Sequence, residues 1–205
     1  MNRTLIAAMA VVGMANASIA LADDVGLYVL GGIGQTTGSN DQSNLDNALR
    51  SIGGVGFGST LSKPTVYKLQ LGYQINQNFA VEGGYLGSSN ENYTASGGNL
   101  AGPISASGSV KGWNLTGVGI LPLVNNFSLL GKLGFASIKE SVTVVGPGGA
   151  AAGSGNKTDL TYGIGAKYDF TSNIFARFDV DSYNVGNSAS SSRSTVWMFD
   201  IGYKF

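Results

Sequence analysis

The sequence predicts an all-β protein, an eight-stranded antiparallel transmembrane β-barrel. Eight segments alternate apolar and polar residues, and the connections between them alternate in length. The last segment carries charge on one face, and on the other it places Trp197, Phe199, Ile201, Tyr203 and Phe205 at every second position. Because side chains alternate across a strand, the aromatic face is suited to lipid, with aromatics at both membrane interfaces.

Residues 1–22 have the pattern of a secretory signal peptide. A basic residue near the start is followed by an apolar stretch at 5–14, and Ala20 and Ala22 form an A-x-A cleavage site. The apolar stretch is shorter than the roughly 20 residues that span a membrane. We therefore expect export through the periplasm and a barrel domain over residues 23–205.

The eight predicted strands are close to the roughly 9–11 residues that a tilted membrane strand needs. Each combines alternating hydrophobicity with turn residues at its ends. They are predicted at residues 25–35, 65–75, 78–87, 111–121, 127–137, 159–170, 173–183 and 195–205.

The predicted connections alternate between short turns and longer loops. Outer membrane barrels place short turns on the periplasmic side and longer loops outside the cell, and an even strand number puts both termini on the periplasmic side. The short turns are at 76–77, 122–126 and 171–172, and the long links are at 36–64, 88–110, 138–158 and 184–194.

The two faces of the predicted strands differ in charge. We expect no charged residue on the outward face, whereas the inward face is expected to carry five basic and five acidic ones. Charges in a narrow lumen must be paired, while a solvated face of a soluble β-sandwich needs no such balance. The balance therefore favours a barrel over a secreted soluble β-protein. The inward charged residues are Lys68, Lys132, Lys167, Arg177, Lys204, Glu82, Asp169, Asp179, Asp181 and Asp200.

The composition argues against several functional classes. The chain has no cysteine and no histidine, which removes thiolate metal sites and the usual general base. Its 12 basic and 12 acidic residues give no basic excess for nucleic-acid binding. Asp169, Asp179 and Asp181 suggest a cation site, but the neighbouring Lys167 and Arg177 favour ion pairing. We expect no enzyme activity, no cofactor and no metal.

Residues 71–85, 115–122, 171–179 and 200–205 resemble the OmpA-type transmembrane barrel. The likeness covers essentially the whole chain after the signal peptide, apart from the loops. It implies an inward Glu on the third strand and an inward Arg on the seventh. The matching residues are Glu82 and Arg177.

Two departures from this family limit what the resemblance implies. Lys167 and Val118 replace an inward acid and an inward lysine, so the gating arrangement proposed for the best-known barrel does not transfer. The chain also ends at Phe205 without the periplasmic peptidoglycan-binding domain of full-length relatives. Anchoring to the cell wall is therefore not expected.

The Glu82–Arg177 pair admits two interpretations, a structural plug and a pore gate. The interior of an eight-stranded barrel is just wide enough for side chains to fill, and a bidentate Arg–carboxylate pair satisfies two buried charges at once. These points favour a plug, with a small porin-like pore for ions or solutes as the alternative. Residues expected to extend the network are Lys132, Lys167, Asp169, Asp179 and Asp181.

Aromatic residues at the ends of the outward face are expected to anchor the barrel at the membrane interfaces. These are Trp113, Trp197, Tyr203 and Phe205. In the first long loop, residues 44–52 carry apolar side chains at helical spacing, which predicts a short amphipathic helix. Local packing within the loop is the simpler role for this helix, and partner binding is the alternative.

The expected role is membrane integrity and surface presentation in the outer membrane of a Gram-negative bacterium. We expect a monomer whose partners are outer membrane lipid and, through the C-terminal strand, the barrel-assembly machinery. The Gly-, Ser- and Asn-rich composition of the loops does not identify a ligand. Contact with a host surface or a phage through these loops is an alternative. No nucleic-acid partner is expected.

Overall fold

The computed structural model describes residues 25–37, 42–186 and 191–205. The predicted signal peptide, with Ala20 and Ala22, lies outside these residues. No helix in the described part of the chain is long and apolar enough to cross a membrane.

Ten strands and one helix form the described structure, and eight of the strands close a barrel, as the sequence predicted. The two remaining strands, β2 and β5, are short. The elements are β1 Gly26–Thr37, α1 Gln42–Ser51, β2 Gly58–Ser62, β3 Thr65–Asn76, β4 Phe79–Ser88, β5 Glu91–Ser96, β6 Ile104–Pro122, β7 Phe127–Gly146, β8 Gly149–Asp169, β9 Ile174–Gly186 and β10 Ser191–Lys204.

The barrel is an antiparallel ring in which every strand pairs with two neighbours. The order around the ring is β6, β4, β3, β1, β10, β9, β8 and β7, and pairing between β6 and β7 closes it. The first and last strands pair directly, from Tyr28 opposite Lys204 to Thr37 opposite Thr195. Closure removes the exposed sheet edges that lipid could not satisfy.

The long links differ from their prediction as loops. β6, β7 and β8 continue well beyond the predicted strands, and β5 pairs with β6 while β2 pairs with β5. The extended part of β7 contains Val142, Thr143, Val144 and Val145, which favour strands. The prediction ended each strand where outward apolar alternation stopped, but backbone pairing continues past that boundary.

Two of the three short turns are held by asparagine. The side-chain oxygen of Asn76 accepts the N–H groups of Asn78 and Phe79 at 2.8 and 2.9 Å. Asn125 and Asn126 adopt positive φ angles of 57° and 63° between β6 and β7. Asparagine tolerates this conformation better than most residues, so these turns reverse the chain tightly.

Over the middle of the barrel the outward face is apolar and exposed, as predicted. Lys111 of β6 is nevertheless a charged residue on this face, which corrects the prediction that the face carries no charge. The alternation of exposed and buried residues is nearly unbroken along β3. Large apolar residues exposed on this face include Leu69, Leu71, Leu115, Leu133, Phe135, Ile164, Phe199 and Ile201.

Glycines stand directly opposite large inward side chains. Gly72 pairs with Tyr28 and Gly202 pairs with Phe175, and a Cβ at either glycine would overlap the opposing ring. These two glycines therefore make room for the large side chains opposite them in the lumen. Three more glycines leave space for aspartate side chains in the same way, because a Cβ on each would overlap the carboxylate of its cross-strand partner. These pairs are Gly32 with Asp200, Gly163 with Asp181 and Gly165 with Asp179.

The lumen is filled in layers. Along β9 the inward side chains run Phe175, Arg177, Asp179, Asp181 and Tyr183, so charged residues lie between two aromatic ones. An upper apolar layer faces the long links and consists of Val66, Leu86, Ala136, Ile138, Tyr183, Val196 and Met198. A lower apolar layer faces the short turns and consists of Tyr28, Leu30, Ala80, Val118, Ile120, Leu130 and Phe175.

Candidate functional site

Arg177 and Glu82 meet across the lumen from β9 and β4. Arg177 donates through Nη2 to Glu82 Oε2 at 3.1 Å and through Nη1 to Oε1, which makes the pair bidentate. The Tyr28 hydroxyl also donates to Oε1, at 2.7 Å. Both charged side chains are almost fully buried, at 0% exposure for Glu82 and 3% for Arg177. Their mutual pairing offsets a desolvation cost that either charge alone would leave uncompensated.

Asp179 forms ion pairs with three cationic side chains through one carboxylate oxygen. Lys68 Nζ, Arg177 Nη2 and Lys132 Nζ lie 2.9, 2.9 and 3.0 Å from its Oδ2 atom. These four residues come from strands β3, β7 and β9 on different sides of the barrel. The ion pairs therefore connect strands that share no backbone hydrogen bonds.

Two further carboxylates complete the buried charged layer. Lys132 Nζ lies 2.7 Å from Asp181 Oδ1, and Lys68 Nζ lies 2.9 Å from Asp200 Oδ2. We call this set the ion belt: Lys68, Glu82, Lys132, Arg177, Asp179, Asp181 and Asp200.

The ion belt has more acid than base, with three cations and four carboxylates. The Oδ1 atoms of Asp179 and Asp200 and the Nε atom of Arg177 have no hydrogen-bond partner among the described residues. The belt is thus well paired as ions but incompletely hydrogen-bonded, and we expect it to be sensitive to the loss of any cation.

Lys167 and Asp169 form a separate cluster, which differs from the single predicted network. Lys167 Nζ lies 3.0 Å from Asp169 Oδ2, and Lys204 Nζ lies 2.7 Å from Asp169 Oδ1. Both lysines lie near the Phe175 ring, with their Nζ atoms 5.7 and 5.9 Å from its centroid. Although the Cα of Lys167 pairs with that of Arg177, its side chain turns toward the short-turn end. The bulk of Phe175 separates this cluster from the ion belt.

Sequence reasoning placed Lys68 and Asp200 on the inward face but left them out of the network. Both are central to it, because Lys68 bridges Asp179 and Asp200 at 2.9 Å each. Tyr28 was missed altogether, although strand periodicity also turns it inward. Its hydroxyl is the polar end of an otherwise apolar residue, and alternation alone gives no sign of its partner.

The four predicted interface anchors lie on the outward face. Trp113, Trp197, Tyr203 and Phe205 are exposed there, between 45% and 54%. Tyr203 and Phe205 form an edge-to-face pair at the short-turn end, with ring centroids 5.2 Å apart. This is the surface on which interface aromatics are expected.

The helix predicted in the first long link is present as α1, and it packs against the strands beside it. Tyr93 of β5 donates its hydroxyl to Asp46 at 2.6 Å, and Gln42 donates to the Ser59 carbonyl at 2.8 Å. Burial, followed by the hydrogen bond to Asp46, raises the pKa of Tyr93 to about 12. The hydrogen bonds from Ser59 and Tyr93 lower the pKa of Asp46. These contacts agree with local packing of the helix.

The lumen and the loops show no arrangement for metal chemistry in the described part of the chain. No three acidic side chains there are grouped so as to hold a metal ion. Asp179, Asp181 and Asp200 face lysine or arginine nitrogens at ion-pair distance.

The chain belongs to the family described as outer membrane protein beta-barrel domain, whose match covers residues 4–205. Membership places the protein in an outer membrane. A comparison with curated proteins gives no match.

Solved structures share the fold at low sequence identity. The attachment invasion locus protein Ail of Yersinia pestis is 20% identical, with a TM-score of 0.53, covering 88% of this chain and 99% of that one. The N-terminal β-barrel domain of OprF from Pseudomonas aeruginosa is 14% identical, with a TM-score of 0.50 and the same coverage of each chain. At this identity the likeness concerns the fold alone.

Proposed function

We propose that this protein is a non-enzymatic outer membrane barrel that supports membrane integrity and presents surface structure, with its lumen plugged by the ion belt. The observation that carries the proposal is the layered lumen. Charges paired at 2.7–3.0 Å lie between two layers of buried apolar side chains. A gate would need a route by which water passes both layers.

The lower apolar layer supports closure most directly. The space left there, between Phe175, Tyr28 and Arg177, is about 10 Å³, which is no more than one water molecule requires. Phe175 and Leu30 are each only 1% exposed. An ion entering from the short-turn end would have to displace these side chains before it reached the ion belt.

The long-link end supports a role in presentation. β6, β7 and β8 rise beyond the lipid-facing band as a hairpin-linked sheet, and β5 and β2 widen it. Such a projecting, hydrogen-bonded sheet is suited to contact with a host surface or a phage. The related fold of Ail, an attachment invasion locus protein, makes attachment a reasonable role to test for this end.

The presentation proposal is tested by inserting a short epitope between Pro147 and Gly148, the exposed tip between β7 and β8. An antibody should label intact cells carrying this insertion. A matched insertion between Thr171 and Ser172, in a short turn, should be labelled only after the outer membrane is permeabilised. Labelling of both, or of the short turn alone, would contradict the proposed orientation.

We also propose that the chain crosses the periplasm of a Gram-negative bacterium, is inserted by the barrel-assembly machinery and acts as a monomer. Support for insertion comes from β10, which carries the aromatic outward face and ends beside Phe205. The closed ring supports a monomer, since within the membrane it leaves no sheet edge for a second copy. Deleting Phe205 should slow insertion in cells, and normal insertion would remove this role for the C-terminal strand.

A further inference from the structure

Lys111 of β6 and Lys139 of β7 are direct cross-strand partners on the outward face. Both are exposed, and neither forms an ion pair with a carboxylate among the residues that the structure describes. Like charges placed directly opposite each other destabilise a strand pair. No carboxylate among the described residues offsets this repulsion, so an anion from outside the chain would relieve it.

The lysine pair lies at the boundary between two kinds of outward surface. Below it, toward the short turns, come Trp113 and then the apolar pair Leu115 and Phe135. Above the lysine pair, away from the short turns, Ser109 lies opposite Ser141. Tryptophan at the edge of an apolar band lies at the level of lipid headgroups. The two ammonium groups are therefore at headgroup height, facing the lipid.

Uncharged hydrogen-bond donors continue the same row on both sides. Gly87 lies between Tyr67 and Lys111, and the Tyr67 hydroxyl lies against it, because a Cβ on Gly87 would meet that oxygen. On the other side, Asn156 of β8 is the partner of Lys139. We call Tyr67, Lys111, Lys139 and Asn156 the cationic row.

We propose that the cationic row binds the phosphate group of a lipid headgroup in the outer leaflet, at the long-link end of the barrel. A phosphate between the two lysines would turn their repulsion into two charge-assisted hydrogen bonds, and Tyr67 and Asn156 could donate to its remaining oxygens. Trp113 directly below would contact the upper part of the same lipid. This inference goes beyond the proposed structural role, because it assigns a specific ligand chemistry to one patch of the outer wall.

Native mass spectrometry of the whole chain in dodecyl maltoside, a detergent without phosphate, tests this site. Phosphatidic acid is added as the probe to the wild type, to the double variant Lys111→Gln/Lys139→Gln, and to Lys63→Gln. Lys63 is an exposed lysine between β2 and β3, outside the row. We expect phosphatidic acid to bind the double variant about twenty- to thirtyfold more weakly, roughly fivefold for each lysine, and Lys63→Gln to bind like the wild type.

Thermal unfolding gives a second readout whose sign changes with the ligand. Without phosphatidic acid the double variant should melt above the wild type, because the repulsion is gone. With phosphatidic acid the order should reverse. Equal lipid binding by the double variant, or the absence of this reversal, would overturn the proposal. If inorganic phosphate alone stabilised the wild type as much as phosphatidic acid, the assignment to a lipid headgroup would be wrong.

Discussion

Phe175 and Gly202 are direct cross-strand partners, and the ring of the first fills the space that a Cβ on the second would need. The pairing joins β9 to β10 in the lower apolar layer, where Phe175 is only 1% exposed. The close packing of this layer thus depends on a glycine as much as on the large side chain opposite it.

Gly202→Ala should therefore destabilise the barrel. Overpacking a filled interior typically costs about 1–3 kcal/mol. The free energy of unfolding, measured by denaturant titration in detergent and followed by heat-dependent gel mobility, should fall by that amount. Gly131→Ala is the matched control, since a Cβ at Gly131 meets nothing within 4 Å. Equal stability of the two variants would mean that the lumen is looser than described.

Arg177→Ala should lower the free energy of unfolding more than replacing both Arg177 and Glu82 with apolar residues. The single change leaves Glu82 buried without its main partner, which costs about 3–5 kcal/mol. The double variant Arg177→Met/Glu82→Leu replaces the pair with apolar side chains and should recover much of the loss. Comparison of the unfolding free energies checks this, and a double variant no more stable than the single one would contradict it.

An arginine on the lipid face should block membrane assembly. Leu71 and Ile164 are 53% and 67% exposed on the outward face of β3 and β8. A charge near the middle of the bilayer costs about 2–4 kcal/mol in such barrels. The folded fraction of Leu71→Arg and Ile164→Arg should fall in lipid vesicles, while Ile52→Arg, after the exposed end of α1, should fold normally. Normal insertion of the first two would argue that this face does not meet lipid.

The contact between α1 and β5 should weaken at both extremes of pH. The folded-state pKa of Tyr93 is raised to about 12, so its contribution is complete below its unfolded value of 10.0 and is lost as pH rises toward about 12. The pKa of Asp46 is lowered, so its contribution is present above 3.8 and is lost as pH falls through its folded-state value. Hydrogen exchange of α1 should show both losses, and Tyr93→Phe should abolish the alkaline one. An alkaline loss that persists in Tyr93→Phe would assign it to another group.

Signal cleavage should follow Ala22. The intact mass of the protein extracted from the outer membrane should then correspond to residues 23–205. Ala22→Arg should leave the precursor uncleaved, because the cleavage site requires small residues. Leu21→Arg changes the middle residue of the A-x-A site, where the pattern sets no requirement, and serves as the comparison. A mature chain that begins elsewhere would correct the predicted boundary.

Alternation of side chains predicted the ring of eight strands, because a two-residue period with one lipid face leaves little freedom. The same period places Lys68, Asp200 and Tyr28 on the inward face, but it does not identify the side chains with which they pair. Which ions meet depends on the stagger between strands and on the direction of each side chain. Lys167 illustrates this limit, since its Cα lies level with Arg177 while its Nζ pairs with Asp169.

The strands beyond the membrane were missed for a different reason. In residues 138–158 the outward side chains change from apolar to small and polar, so the signal for a lipid-facing strand ends while backbone pairing continues from Ile138–Lys157 to Gly146–Gly149. A pattern based on lipid contact cannot detect a strand that stands in water. Lys139 lies beyond the predicted fifth strand for the same reason, and only strand register brings it opposite Lys111.

Single-channel recording of the refolded barrel in a planar bilayer tests the plugged lumen most directly, with insertion confirmed in parallel by the gel shift. We predict an inserted wild-type barrel that stays electrically silent. Phe175→Ala, which empties the lower apolar layer, and Arg177→Ala, which breaks the ion belt, should each produce openings. Stable openings of the wild type would show a continuous water path past Glu82 and Arg177, and would contradict the account in favour of a pore.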